Sequence, residues 1–364
     1  MKIAFYSPMK PPSHPVPSGD RLMARLLIHC LELSRHEVHV ASEFRSFLSD
    51  QDEAAIAERQ TKTQEEVRRL SKEWRKSGAP DIWFCYHPYY KAPDLLGPPL
   101  AREFGMAYVT AEASYSPRRN RGLWEDIQAT VLDAVGMAAV NLYFTGRDEQ
   151  GLRLAAPEAR FERLPAFIDP APFLVRRPEP RPLSLVAVAM MRPGDKLNSY
   201  AALAYALGLL IDKEWTLDIV GDGPSRPEIE SMFTQFPAER IRWHGLKSTD
   251  EIAAIFSASS IYVWPGHGEA YGLAYLEAQA AGLPVVAEET AGVPEVVMAE
   301  RTGRLTPAGD THAYAAAIGL LLDCEPMRSR MATEAREFAG VERSIDRAAA
   351  RLDEILARYV GSRS

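Results

Sequence analysis

The sequence predicts an α/β protein made of two doubly wound parallel-sheet domains in series. Short apolar runs alternate with longer segments of helical spacing along the whole chain, which is typical of a parallel sheet covered by helices on both faces. The 364 residues are too many for one compact core and enough for two. Five prolines between residues 170 and 182 indicate a linker. We place the domains at 1–174 and 175–340, followed by a C-terminal helix in 341–364 that returns to the first domain.

In the first domain, the opening run Lys-Ile-Ala-Phe-Tyr at residues 2–6 is predicted to be a strand, and a proline-rich loop follows it. Residues 21–34 place Leu22, Leu26 and Leu33 on one helical face. The further predicted strands are 37–41, 81–86 and 107–110, and the further predicted helices are 50–77 and 122–136.

The second domain repeats this alternation after the proline-rich linker. Its predicted strands are 183–189, 216–220, 241–243, 261–264 and 284–287, with helices between them. The last segment, 345–359, carries an apolar face at helical spacing and is predicted to be a terminal helix packed on a domain.

Composition and charge exclude several classes of protein. The formal net charge is −7, which argues against generic nucleic-acid binding. The three cysteines are scattered and lack CxxC spacing, so neither a disulfide framework nor a zinc site is indicated. We expect a cytoplasmic protein, because the first residues do not resemble a secretory signal and no apolar run reaches the ~18 residues of a membrane span. Peripheral contact with the inner face of a membrane stays open.

The segment 269–277, Glu-Ala-Tyr-Gly-Leu-Ala-Tyr-Leu-Glu, is the part of the chain that points most directly to function. It follows a predicted strand, and Gly272 is expected to begin a helix. Ligands of open parallel sheets bind beyond the carboxyl ends of the strands, and the start of a helix offers N–H groups that suit a phosphate. Glu277, just over one turn into the helix, is within reach of a ribose. The alternative is that Glu269 caps the helix and Glu277 is a solvated helix residue.

The blocks around this segment resemble the retaining glycosyltransferases of family 4, which have the GT-B fold and an E-x7-E signature. Glu269 and Glu277 hold the signature positions, and Gly-Leu-Pro-Val-Val-Ala follows at 282–287. Three more blocks match in order: Ile-Val-Gly-Asp-Gly-Pro at 219–224, Gly-Val-Pro-Glu at 292–295 and Thr-Gly-Arg-Leu-Thr-Pro-Ala-Gly-Asp at 302–310. The resemblance implies two Rossmann-like domains that face a cleft.

The resemblance implies that the second domain binds a nucleotide-sugar donor. Arg192 and Lys196 follow the strand 183–189, where the family has an arginine and a lysine that grip the donor diphosphate. Two cations there stabilise the charge that the leaving group gains as the sugar bond breaks. Glu269 is expected to contact the sugar hydroxyls and Glu277 the ribose. The other expected donor-site residues are Gly221, Tyr271, Gly272 and Leu273.

The first domain resembles the family more faintly and is expected to hold the acceptor. Gly19 stands where the family has a glycine-rich loop near the diphosphate; the alternative is a simple helix start, capped by Ser18 or Asp20. His87 follows a strand, as a histidine often does in these enzymes, and a structural role is its alternative. Glu112 departs from the family, in which many relatives carry a histidine near the donor sugar; we expect it to orient a sugar hydroxyl or to stabilise an oxocarbenium ion. Further acceptor candidates are Ser114, Arg118 and Arg119, and a solvated basic turn is the alternative for the two arginines.

We therefore expect a retaining glycosyltransferase that moves a sugar from a UDP- or GDP-sugar to a carbohydrate or glycolipid acceptor, in polysaccharide, glycolipid or other glycoconjugate synthesis. No tightly bound cofactor and no metal are expected, because two cations and a helix start can neutralise the diphosphate. Two alternatives stay open. One is a GT-B nucleotide-sugar epimerase, for which no acid–base set stands out, and the other is a non-catalytic nucleotide-binding protein. The donor base, the sugar, the acceptor and the oligomeric state also stay open.

Overall fold

The structure is a computed structural model that describes residues 1–361. It divides into two compact units. Unit 1 contains Met1–Pro165 together with the chain from Asp346 onward, and unit 2 contains Ala166–Ile345. Residues 166–174, which we assigned to the first domain, therefore lie in unit 2, where the backbone N–H of Ile168 donates to the carbonyl of Arg343 at 3.0 Å.

Unit 1 is built on a six-stranded parallel sheet with the strand order β2-β1-β3-β4-β5-β6. The strands are β1 (Lys2–Tyr6), β2 (Glu37–Ser42), β3 (Ile82–Tyr86), β4 (Ala107–Ala111), β5 (Val140–Tyr143) and β6 (Phe161–Arg163). The helices are α1 (Gly19–Leu33), α2 (Glu53–Ser77), α3 (Gly97–Phe104), α4 (Leu123–Met137) and α5 (Gly146–Ala155).

Unit 2 is built on a second six-stranded parallel sheet with the order β12-β11-β10-β7-β8-β9. Its strands are β7 (Ser184–Val188), β8 (Thr216–Val220), β9 (Ile241–Gly245), β10 (Ile261–Val263), β11 (Val285–Glu289) and β12 (Gly303–Pro307). Its helices are α6 (Ala171–Leu174), α7 (Asp195–Gly208), α8 (Arg226–Met232), α9 (Thr249–Ser257), α10 (Leu273–Ala280), α11 (Thr311–Asp323) and α12 (Glu325–Glu337).

The last helix, α13 (Ile345–Tyr359), lies almost entirely in unit 1. The hydroxyl of Ser34 donates to the carbonyl of Ala349 at 3.2 Å, and Arg351 donates to Glu162 at 2.7 Å. The segment therefore packs beside the end of α1 and the edge strand β6. Within the described residues, no helix is both long enough and apolar enough to cross a membrane.

The sequence places large apolar side chains where both faces of each sheet are covered. All five residues of β3 are buried, as expected for a central strand with helices on both faces. The ring of Trp74 in α2 packs edge to face against that of Trp83 in β3, with ring centroids 6.1 Å apart. Asp94 is a buried carboxylate in this core, and it accepts hydrogen bonds from Trp83 Nε1 at 2.8 Å and from the Tyr108 hydroxyl at 3.0 Å. These bonds offset the cost of burying the polar group.

The strand order locates the functional edge of each sheet. In unit 1 the order reverses between β1 and β3, and in unit 2 it reverses between β7 and β10. Loops diverge at such a point, and ligands of doubly wound sheets bind there, beyond the carboxyl ends of the strands. The loop after β7 and the loop after β10 carry four of the predicted donor-site residues: Arg192, Glu269, Tyr271 and Gly272.

The predicted α/β class is confirmed, and each strand that we predicted is present with ends within two residues of the expected ones. The strands β5, β6 and β12 were missed. β6 reads Phe-Glu-Arg and β12 reads Gly-Arg-Leu-Thr-Pro, so neither is a continuous apolar run. Their strand character comes from pairing with a neighbour, which local sequence does not show.

Gly221 allows two backbones to approach closely at the end of β8. Its φ is 140°, and a Cβ atom there would lie 1.9 Å from the carbonyl oxygen of Ala189. Gly223 makes the same approach to Met191, whose N–H donates to the carbonyl of Asp222 at 2.9 Å. The two glycines thereby hold the loop that carries Arg192.

We expect Gly221→Ala to lower the free energy of unfolding by about 2 kcal/mol or more, because the new methyl group would meet a backbone carbonyl in a strained conformation. Urea or thermal unfolding of the purified variant measures the loss. Gly208→Ala, at the end of α7, is the matched control, since its Cβ would make an ordinary contact of 3.5 Å with Gln235. Equal stability of Gly221→Ala and the wild type would contradict the packing role of Gly221.

Candidate functional site

The donor side of the candidate site begins with the first turn of α7. Gly194, with φ of 80°, precedes the helix, and Lys196 is its second residue. The Lys196 ammonium forms an ion pair with the carboxylate of Glu269, which also accepts from Trp264 Nε1 at 3.0 Å. The ammonium lies 5.6 Å from the centre of the Trp264 ring, within the range of a cation–π contact. The structure thus brings together the predicted residues Lys196 and Glu269.

The loop between β10 and α10 is fixed to α7 by two contacts. The backbone N–H of His267 donates to the hydroxyl of Ser199 at 3.0 Å. At Gly268 an added Cβ would lie 2.1 Å from Asp195, so the loop packs directly on the start of α7. These contacts set the position of Glu269, which follows in the same loop.

A second carboxylate, Glu288 of β11, contacts this loop through His267. It is buried, accepts from the Gly309 N–H at 2.8 Å, and lies 3.2 Å from His267 Nε2. Neither His267 nor Glu288 is predicted from the sequence, because the two residues are 21 positions apart and neither belongs to a recognised motif.

The start of α10 has the form expected of a phosphate site. Gly272, with φ of 81° and no side chain to cap the helix, precedes Leu273, the first helical residue. A Cβ at Gly272 would lie 2.6 Å from the ring of Tyr275, so the position requires glycine. Tyr271 and Leu273 are buried and anchor the turn from either side. The first N–H groups of α10 thereby present about half a positive charge.

Glu277, the fifth residue of α10, is a half-buried carboxylate with no hydrogen-bond partner among residues 1–361. Burial raises the pKa of its carboxyl group to about 7. A carboxylate in this state lacks the hydrogen-bond donors that would stabilise its charge, and the hydroxyl groups of a ligand can supply them.

On unit 1, His87 and Glu112 follow the neighbouring strands β3 and β4. Both have positive φ angles, 59° and 56°, which is uncommon for residues other than glycine. The backbone N–H of His87 donates to the carbonyl of Ala111 at 2.8 Å, and that of Glu112 donates to Leu142 at 2.8 Å. The sheet therefore holds both side chains at one edge in strained conformations, which are found often at functional sites.

These two side chains lie among other ionisable groups. Burial raises the pKa of the Glu112 carboxyl to about 7; the positive charge of His87 opposes this rise, and the negative charges of Asp20 and Asp148 add to it. Burial lowers the pKa of His87, but the negative charges of Glu112 and Asp20 and the hydrogen bond to Asp20 raise it to about 9. At neutral pH His87 is therefore charged and Glu112 is close to its titration point.

The remaining predicted acceptor residues are more exposed. The N–H of Ser114 donates to the carbonyl of Pro88 at 3.2 Å. Arg118 and Arg119 are exposed on a short 3₁₀ turn, and the Arg119 guanidinium lies 6.0 Å from the centre of the Tyr90 ring. Gly19 is the first residue of α1, with no atom within 4 Å of an added Cβ.

Sequence analysis also missed Asp148 and the role of Trp264. Asp148 lies in the first turn of α5, after the missed strand β5, so its position at this edge was not predicted. Trp264 directly follows β10 and was counted as a strand residue. Among residues 1–361, no group of three or more His, Cys, Asp or Glu side chains is arranged to hold a metal ion.

A comparison with known protein families matches part of the second unit. Residues 183–324 match the family model described as "Glycosyl transferases group 1". The match covers less than half of the 364 residues. The family that the sequence resembled is thereby confirmed for these residues, which contain the whole E-x7-E segment.

Curated relatives match part of this chain. D-inositol 3-phosphate glycosyltransferase of Corynebacterium glutamicum (strain R) is 30% identical over 201 residues, which cover 53% of this chain and 48% of that protein. Sulfoquinovosyl transferase SQD2 of Arabidopsis thaliana is 32% identical over 127 residues, covering 34% of this chain and 24% of that protein. The chain thus spans about half the length of the first relative and about a quarter of the second.

Solved structures confirm the GT-B fold over nearly the whole chain. Sucrose-phosphate synthase from Thermosynechococcus elongatus superposes with a TM-score of 0.77 at 18% identity, covering 100% of both chains. HepE from Anabaena, in complex with UDP-glucose, superposes with a TM-score of 0.70 at 14% identity, covering 98% of this chain and 100% of that one. At these identities the likeness establishes the fold.

We expect Glu277→Gln to make the protein more stable than the wild type at pH 8 by about 1–2 kcal/mol, with a smaller gain near pH 5. The pKa of Glu277 is raised from 4.5 to about 7 in the folded state, so the wild type loses stability as pH rises from about 4.5 to about 7, where the carboxyl is ionised in the unfolded chain but still protonated in the folded one. Thermal unfolding at both pH values measures the difference. The exposed Glu337→Gln is the control, and a gain of equal size at pH 5 would contradict the assignment.

Proposed function

We propose that the protein is a retaining glycosyltransferase that takes its sugar from a nucleotide sugar. The observation that carries the proposal lies in unit 2. There the Lys196–Glu269 ion pair and the start of α10 lie at the switch point of the sheet, together with Glu277, which has no hydrogen-bond partner among residues 1–361. The group 1 match over the same residues supports it.

In this proposal the negatively charged diphosphate of the donor is the part that the protein binds most directly. The diphosphate lies against Arg192, Lys196 and the first N–H groups of α10, which together stabilise the negative charge that develops on the leaving group. Glu277 accepts hydrogen bonds from the ribose hydroxyls, which stabilise its ionised form. UDP is the nucleotide that we favour, because structures of the fold relative HepE contain UDP and UDP-glucose.

In the proposal, Glu269 contacts the sugar hydroxyls. Because Glu269 is paired with Lys196 before the donor binds, donor binding replaces this ion pair with two new interactions. When the diphosphate arrives, the Lys196 ammonium transfers from the Glu269 carboxylate to the phosphate oxygens. The carboxylate is then available to accept from the sugar hydroxyls. Lys196 thus gains the diphosphate and Glu269 gains the sugar hydroxyls. The ammonium and the carboxylate each keep an interaction partner when their ion pair breaks.

Retention is proposed to occur by attack on one face of the sugar, without a carboxylate nucleophile. A retaining glycosidase uses two carboxyl groups about 5 Å apart, one of which attacks the sugar. Here Glu269 is engaged by Lys196 and Trp264, so it is assigned to binding rather than attack. The acceptor hydroxyl attacks from the face that the diphosphate leaves, and the departing phosphate oxygen takes its proton.

Unit 1 is assigned to the acceptor. Its carboxyl edge carries His87, Glu112 and Ser114, with Arg118 and Arg119 exposed nearby, groups that suit a polyhydroxylated acceptor. The curated relatives act on an inositol phosphate and transfer a sulfoquinovosyl group, as their names state. We therefore propose a carbohydrate, cyclitol or glycolipid hydroxyl as the acceptor.

A turnover screen tests this function. Purified protein is incubated with UDP- and GDP-sugars, with and without sugar, inositol phosphate and glycolipid acceptors, and nucleotide release is measured for the wild type and for Glu277→Ala. Release that requires acceptor and falls at least 10-fold in Glu277→Ala supports the proposal. Interconversion of sugars without acceptor would indicate an epimerase. Nucleotide binding without turnover in every combination would indicate a non-catalytic protein.

We expect Glu269→Gln to bind free UDP about 3- to 10-fold more tightly than the wild type while losing transfer activity. The substitution removes the charge that competes with phosphate for Lys196 and removes a sugar contact. Isothermal titration calorimetry measures the UDP affinity. Lys196→Met is the paired control and is expected to weaken UDP binding about 10-fold or more. Weaker UDP binding by Glu269→Gln would contradict the proposed replacement of the ion pair.

A further inference from the structure

The loop after β3 meets the first turn of α1 at the carboxyl edge of the unit 1 sheet. There His87 Nδ1 lies 3.2 Å from Asp20 Oδ1. Burial raises the pKa of the Asp20 carboxyl, but the hydrogen bond and the charge of His87 outweigh it and hold the pKa below its usual range. Asp20 is therefore a carboxylate and accepts the bond, so Nδ1 carries a proton.

The imidazole of His87 is fixed by its other contacts. The ring stacks on Tyr89, with centroids 5.1 Å apart and an angle of 30° between the planes. The backbone of His87 is held in the left-handed region and bonded to Ala111. With Nδ1 engaged by Asp20, Nε2 is the ring nitrogen that makes no hydrogen bond to the described residues.

Helix capping does not explain Asp20. The hydroxyl of Ser18 caps α1, since it accepts from the Arg21 N–H at 3.2 Å, and Lys10 donates to that hydroxyl at 3.0 Å. Asp20 lies two residues further along and directs its carboxylate to His87 instead.

We propose that Asp20 is a positioning residue: it holds the His87 ring through Nδ1 so that Nε2 is a fixed hydrogen-bond donor to a non-reacting oxygen of the acceptor. The acceptor in this proposal rests on the proposed function. The Asp20–His87 pair rests on the structure alone. A neutral and freely rotating imidazole would offer either a donor or an acceptor nitrogen. The carboxylate removes that choice.

The surrounding charges act in the same direction. Glu112 after β4 and Asp148 of α5 face His87 with negative charge, and with Asp20 they raise its pKa to about 9. Two cations lie close to the neighbours of His87. The positive charge of Lys10 lowers the pKa of Asp20, and that of Arg45 lowers the pKa of Tyr89. Asp20 hydrogen-bonds directly to the ring, so its removal takes away a hydrogen bond as well as a negative charge.

An NMR titration of the histidine ring protons tests the pair without any substrate. The wild type, Asp20→Asn and Asp20→Ala are compared, and His87→Gln assigns the resonance. We expect the pKa of His87 to fall by at least one unit in Asp20→Asn and further in Asp20→Ala, which also loses the acceptor oxygen. Asp148→Asn removes one nearby charge without touching Nδ1 and is expected to produce less than half the shift of Asp20→Asn.

An unchanged His87 pKa in folded Asp20→Asn and Asp20→Ala overturns the proposal. A shift in Asp148→Asn as large as that in Asp20→Asn also overturns it, since the effect would then be one of general charge. Because two substitutions of different severity are used, a folding defect in Asp20→Ala leaves Asp20→Asn to decide.

Acceptor kinetics provide the functional readout. KM for the acceptor is measured from pH 6 to 8 and expressed as the ratio of Asp20→Asn to the wild type, because the Glu112 carboxyl, with a pKa raised to about 7, titrates over this range in both proteins. The ratio should rise about 2-fold or more toward pH 8, since His87 loses its proton in Asp20→Asn and keeps it in the wild type, while kcat changes less. A pH-independent rise in KM would indicate a structural role and overturn the assignment. Absence of turnover in the wild type would refute the proposed function, and the NMR result would then decide the pair by itself.

Discussion

Every functional group described above depends on one constraint, that parallel strands bring their carboxyl ends to the same edge of a sheet. In unit 2 this edge brings the loop after β7 beside the loop after β10, and Lys196 meets Glu269 there. In unit 1 the same constraint places the residues after β3 and β4 beside the start of α1. Chemistry-bearing side chains that are far apart in the chain thus become neighbours without any special local structure.

The site reduces the stability of the fold in identifiable ways. The half-buried carboxylate of Glu277 accepts no hydrogen bond from the described residues 1–361. Burial raises the pKa of Glu277 and that of Glu112. His87 and Glu112 adopt backbone angles that cost free energy for residues with a side chain. The buried cores of the two units supply the stability that holds these groups in place. Asp94 shows the contrast, because it is a buried carboxylate that is fully engaged by donors in a structural role.

Each unit has a His–carboxylate pair at the carboxyl edge of its own sheet, and the two pairs have different proposed roles. Glu288 holds His267 in the loop that carries Glu269, so it fixes the donor side. Asp20 holds His87 by Nδ1 and leaves Nε2 for a ligand, so it prepares the acceptor side.

The sequence by itself determined what depends on short-range pattern: the alternation of strands and helices, the glycine that begins α10, the E-x7-E segment and its family. These follow from spacing along one element, where period and turn chemistry act locally. Only the tertiary structure decided which side chains meet. Lys196 and Glu269 are 73 residues apart, and Asp20 and His87 are 67 apart. Their pairing depends on strand order, which places β1 beside β3 in one sheet and β7 beside β10 in the other.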